Sequence, residues 1–143
     1  MFKFVLVFLL TVVFANAQST ENWVKLIGGE EKQIYFDKNS VLADSIEIKI
    51  SVSQSHIPGL KIETIEKPIY RSVTEYIFNP KIMRYSIATI TYFDSKGNFL
   101  NKFTYTNNSE IETYKYSYPI FENSLESQIL NTIYYYYPEL KRK

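Results

Sequence analysis

The run DSIEIKISVSQS, residues 44–55, alternates without a break. Ile46, Ile48, Ile50 and Val52 share one parity, and Glu47, Lys49, Ser51 and Ser53 share the other. Successive side chains of a strand point to opposite faces, so the run predicts a strand with one apolar and one wet face. That pattern belongs to an antiparallel sheet covered on one side only. Runs of β-branched and aromatic residues predict further strands at 22–27 (stopped by Gly28-Gly29), 33–36, 70–78 (ended by Asn79-Pro80), 82–93 and 98–105. A last strand is expected over 112–118, before Pro119. Residues 56–67, HIPGLKIETIEK, contain Pro58-Gly59 and read as a long loop, in which KIETI could add a short edge strand.

The period then changes. In ENSLESQILNTIYYYYP, Leu125, Ile129, Ile133 and Tyr136 or Tyr137 recur at helical spacing. Asn123 and Glu126, three residues apart, read as a capping pair, and Pro138 closes the element because it has no amide hydrogen to give. Four successive tyrosines cannot share one helix face, so Tyr134–Tyr137 divide between core and rim. Strands followed by a single helix predict an α+β fold: an antiparallel sheet of about six strands with one C-terminal helix packed on it.

At the N-terminus, Lys3 precedes an apolar run over 4–14, and Ala15-Asn16-Ala17 places small residues where a signal peptidase inspects. Roughly 20 apolar residues are needed to cross a bilayer, which the run does not reach. The expectation is a secretory signal over 1–17, cut after Ala17, followed by a single domain over 18–143. The chain has no cysteine, so neither a lipid anchor at the cut nor a disulfide is available. Its core must hold the domain alone, and 13 tyrosines and 10 phenylalanines point to an aromatic, β-rich interior. A net charge of +1 with basic residues clustered only at Lys141, Arg142 and Lys143 argues against a nucleic-acid partner.

Little in the sequence resembles catalytic chemistry. In YFDSKGNFL, residues 92–100, a calcium loop would need an oxygen where Lys96 stands, and Gly97 comes too early. Asp94-Ser95-Lys96-Gly97-Asn98 between two apolar runs is turn chemistry and predicts a hairpin. The one histidine, His56, falls beside Pro58-Gly59 in the expected loop and is read as solvent-exposed. Phosphate-loop, zinc and nucleophile-elbow motifs are lacking, and no pair of acids stands out for glycoside hydrolysis. Asn107-Asn108-Ser109 matches a glycosylation sequon. No cofactor and no catalytic residue is assigned.

The order of features nevertheless resembles a known family. Trp23 in an early strand is followed by YFDKNSV (35–41), the alternating strand, Glu75 ahead of Asn79, Arg84 beyond it, YFDSKGNFL, Tyr118-Pro119 and a helix from Ser124. This series is similar to the surface-adhesin protein E family of exported bacterial domains and covers roughly 22–137. The resemblance implies an antiparallel sheet with a C-terminal helix, a periplasmic or surface location, and a host or envelope protein as partner. It also implies a cysteine pair at positions that fall here at Asn79 and about Tyr134, so one disulfide, typically worth ~2–4 kcal/mol, is missing. The function expected is a non-enzymatic, adhesin-like binding module. The alternative is a carrier of a small apolar ligand held between sheet and helix.

Overall fold

The computed structural model describes residues 22–28 and 33–142, and in it the alternating run becomes one of two long central strands. The signal segment expected over 1–17 and its cleavage site lie outside the described residues. In chain order the elements are β1 (Trp23–Gly28), β2 (Gln33–Asp37), β3 (Leu42–Ala43), β4 (Ile48–Ile62), β5 (Ile65–Asn79), β6 (Arg84–Phe93), β7 (Phe99–Thr104), α1 (Glu112–Lys115), β8 (Tyr118–Pro119) and α2 (Leu125–Tyr136). Six strands form an open antiparallel sheet in the order β1-β2-β4-β5-β6-β7. Two short flanking strands join it, β3 on β4 and β8 on β6. With α2 packed on the sheet, the fold is α+β.

Alternation decides which face is covered. Ile34 and Phe36 of β2, Ile48, Ile50 and Val52 of β4, and Tyr76 and Phe78 of β5 bury one face in register with one another. Against them α2 places Ile129, Leu130 and Ile133, all buried, with Leu125 half-buried at its start. The stripe is one residue richer than the expected set, because Leu130 shares the face with Ile133. Each such side chain contributes roughly 1.5–3 kcal/mol on burial. Three of them are comparable with the whole stability of a typical domain, about 5–15 kcal/mol.

The tyrosine run divides between core and rim. Tyr134 and Tyr137 pack against the core, while Tyr135 and Tyr136 are exposed. The Tyr137 hydroxyl donates to the Lys38 carbonyl at 3.0 Å, tying the helix end to the turn between β2 and β3. That turn explains the DKNS stretch. Asp37 Oδ1 accepts from Asn39 N at 2.9 Å, and Ser40 Oγ accepts from Ser51 N at 2.8 Å. Ser51 lies on β4 between the residues paired to β2 and those paired to β3, so a side chain satisfies an amide that the interrupted strand leaves over.

Four expectations are corrected. Residues 56–67 are a hairpin, with β4 and β5 joined at Glu63-Thr64, and the pairing is irregular between Ser55 and Leu60. Proline has no amide to lose at such a bulge, and Gly59 lets β5 come close: a Cβ there would stand 3.0 Å from Pro68 and from the Tyr70 ring. Residues 112–118 are not a strand but α1 and the start of two-residue β8. The cap of α2 is Ser124, whose hydroxyl accepts from Ser127 N at 3.1 Å; Asn123, at φ 63°, lies just outside it. Ile46 is exposed, because residues 44–47 form a turn in which Asp44 Oδ1 accepts from Ile46 N and Glu47 N. The positions implied for the missing disulfide are a buried Asn79 at the end of β5 and half-buried Tyr134 on α2.

The helix face gives a direct test. Ile129 is 0 % exposed and Gln128 is exposed on the next position round. Ile129→Asp leaves an unpaired charge in the core and is expected to destabilise by more than about 4 kcal/mol, whereas Gln128→Asp should stay within about 0.5 kcal/mol. Urea unfolding of both variants checks it. Greater damage from Gln128→Asp would place the helix the wrong way round.

Candidate functional site

The face that α2 leaves bare carries Lys49 and Ser51 of β4, Glu75 and Ile77 of β5 and, by the same alternation, Arg84 of β6. Glu47, one residue before β4, shares that side. After β7 the chain enters a long connection, residues 105–117, and Tyr116 in it reaches both charges. Its hydroxyl donates to Glu47 Oε1 at 2.5 Å, and its carbonyl accepts from Arg84 Nε at 2.6 Å. A second Arg84 nitrogen donates to the Ser117 carbonyl at 2.9 Å. Lys115 Nζ stands 2.7 Å from Glu47 Oε1. Tyr116 is only 1 % exposed. An acid and a guanidinium thus hold one tyrosine from two sides.

The connection also closes on itself. The Asn107 side-chain amide donates to the carbonyls of Tyr114 and Lys115, and its oxygen accepts from Ser109 N at 3.1 Å. Ser109 Oγ accepts from Ile111 N at 3.2 Å, and the Ser117 hydroxyl donates to the Tyr114 carbonyl at 3.0 Å. The sequon asparagine is therefore engaged in the loop's own hydrogen bonding. Asn and Ser side chains offer the backbone such local alternatives to a ladder, which favours a stretch that leaves the sheet.

Facing solvent are Tyr105, Ile111, Tyr114, Tyr118 and Phe121, the last 67 % exposed. Behind them an aromatic chain leads inward: Tyr118 to Tyr85 with ring centres 5.3 Å apart, and Tyr85 to Tyr76 at 5.7 Å. Burial, reinforced by the Glu126 carboxylate on α2, pushes the Tyr85 phenol up to about 12. Between Tyr105 and Tyr118 lies a cleft of about 260 Å³. Other concavities among the described residues include a groove of about 340 Å³ over Leu42, Lys49, Glu75 and Ile77, a shallow one of about 310 Å³ between Thr64, Lys67 and Phe99, and a recess of about 210 Å³ between Ile46, Pro80, Tyr134 and Leu140.

Residues that sequence reading weighed for chemistry occupy structural places. Asp94 accepts from Lys96 N and Asn98 N at 2.9 and 2.8 Å, with Gly97 at φ 82°, and makes the β6–β7 hairpin turn. Hydrogen bonds from the Asn98 side chain and backbone hold its carboxyl below the ordinary range. His56 is not in a loop; it is half-buried on β4, with Nε2 2.9 Å from the hydroxyl of Ser72 on β5. Ser72 is itself buried, so that pair presents no nucleophile to a substrate. Glu75 accepts from the Thr89 hydroxyl across the strand pair. Among the described residues, no three of His, Asp and Glu come together as a metal site would require. What sequence reading missed was Glu47 and Tyr116, whose meeting spans 69 positions; the only local signal was a carboxylate at the foot of an otherwise regular alternation.

The contacts of Glu47 and Arg84 with residues 115–117 act as a latch, and the Glu47 half should respond to pH. Burial raises the Glu47 carboxyl, but hydrogen bonds from Lys115 and Tyr116 and the charges of Lys115 and Lys49 outweigh it and set the value below its ordinary 4.5. A depressed folded pKa contributes stability above the unfolded value, and that contribution is lost as pH falls through the folded one. Acid should therefore free the loop while the core still holds, seen as amide NMR signals of residues 105–117 collapsing toward random-coil positions at pH 3 while those of β4 and β5 stay dispersed. Glu47→Gln should be cut fast by trypsin at Lys115 at neutral pH and show no such acid step. An unchanged acid step in that variant would refute the latch.

No family model, no curated protein and no solved structure matches the chain.

Proposed function

We propose that the chain is an exported, non-enzymatic binding domain of a bacterial envelope or cell surface, and that it meets its partner through the aromatic segment 105–121. The observation that carries this reading is the exposure of Tyr105, Tyr114, Tyr118 and Phe121 on a loop held down by Glu47, Arg84 and Asn107. Tyrosine gives large contact area with a polar tip and few rotatable bonds, which is why it is enriched where proteins bind partners. Contact through a loop already ordered avoids much of the entropy cost that association otherwise incurs. The signal-like N-terminus and the resemblance to the surface-adhesin protein E family support the proposed location. The alternative, an apolar ligand between sheet and helix, finds less support, because Phe36, Ile50, Phe78, Ile129 and Ile133 fill that layer.

The test is capture from envelope and host-matrix extracts by the purified domain, alongside the double variant Tyr114→Ser, Phe121→Ser. Both side chains are exposed, so folding should survive. Wild type should retain a partner that the variant loses by at least tenfold, and cell fractionation should find the native chain shortened and outside the cytoplasm. Equal capture by both proteins, or an uncleaved cytoplasmic chain, would contradict the reading.

A further inference from the structure

The edge of β6 has a gap. On that edge β7 pairs back to Thr89 through Thr104, and Tyr105 N still donates to the Ala88 carbonyl at 2.9 Å. From the other end β8 pairs with Arg84 and Tyr85 only. Among the described residues Ser86 and Ile87 have no strand partner there, and the cleft of about 260 Å³ opens over them. Tyr105 and Tyr118 flank it, both half exposed, and Thr106, Asn107 and Ser117 complete its polar lining, the Asn107 amide being held by the loop's own carbonyls.

We propose that this cleft binds a neutral sugar ring, as part of a saccharide on the partner; the inference rests on the binding-surface reading above and names the chemistry of its ligand. Three properties point there. First, no charged residue lines the cleft among the described residues, so a phosphate, carboxylate or ammonium group would lose its hydration with no opposite charge in its walls. Second, the walls combine two tyrosine rings with hydroxyls, an apolar body beside polar tips. A pyranose has the same duality, with a C–H face for a ring and hydroxyls around its rim. Ser117 already donates to the Tyr114 carbonyl and so offers an acceptor, while the hydroxyls of Ser86 and Thr106 are not used in hydrogen bonds among the described residues. Third, the gap spans two residues, too short for an added peptide strand, which draws its affinity from a run of main-chain hydrogen bonds.

The site is also held in shape. Arg84 fixes the carbonyls of Tyr116 and Ser117 just before Tyr118, and the Tyr118 ring rests on Tyr85. One wall is therefore part of the sheet and the other leaves β7 directly. Neither needs to order itself when a ligand arrives.

The experiment is an amide NMR titration of the domain with cellobiose, N,N′-diacetylchitobiose and lactose, with glucose 6-phosphate as the charged comparison. At least one neutral disaccharide should give saturable shifts confined to Ser86, Ile87, Thr106 and Tyr118. Tyr118→Ala should weaken that binding at least tenfold, and Thr106→Val, which keeps the shape and removes one hydroxyl, severalfold. Absence of saturable shifts with all three, or shifts undiminished in both variants, or preference for the phosphate, would overturn the sugar site. Loss of capture in Tyr114→Ser, Phe121→Ser with no sugar response in wild type would overturn this inference and leave the protein-binding surface standing. A sugar response without any captured partner would do the reverse.

Discussion

The Tyr116 hydroxyl donates to Glu47 while the Tyr116 carbonyl accepts from Arg84, and both anchors stand on the side of the sheet that the helix leaves bare. Hydrogen bonds to charged groups are worth about 1.5–3 kcal/mol, more than neutral ones, and these are shielded by a ring almost wholly buried. Without them residues 105–117 would hang between β7 and β8 on their own turns. With them, a stretch rich in exposed rings becomes a fixed surface. The proposed contact loop, the cleft beside it and the placement of β8 all follow from that one attachment.

The attachment in turn needs a rigid sheet. Here the other face supplies it: Ile129, Leu130 and Ile133 fill the space over Phe36, Ile50 and Phe78, and no disulfide shares the load. The two faces solve different problems. One buries aliphatic surface for stability, and the other spends charged and polar residues on holding a loop whose own apolar side chains point outward. A rigid scaffold carrying an exposed functional loop is a common division of labour.

The sheet and helix were legible because their signals are local. Strict alternation in 47–53 and the spacing of Leu125, Ile129 and Ile133 each follow from the geometry of one element. The misreadings share a different cause. Pro58-Gly59 looks like a loop until β5 is set beside it, because only the partner strand turns the break into a bulge. Tyr114 and Tyr116 look like strand residues until Arg84 and Glu47 draw the chain across the sheet. The loop's meaning was illegible for the same reason, since its anchors come from residues 32 and 69 positions away. YFDKNSV and YFDSKGNFL stood out in sequence and proved to be turns that satisfy backbone amides.

If Glu47 and Arg84 hold 105–121 as an ordered surface, backbone ¹⁵N relaxation of the wild-type domain will show it. Order parameters near 0.85 for Tyr105, Tyr114, Tyr116 and Tyr118, level with those of β4 and β5, are what the latch requires. Values below about 0.6 through this segment, with the strands still rigid, would mean that Glu47 and Arg84 do not hold it.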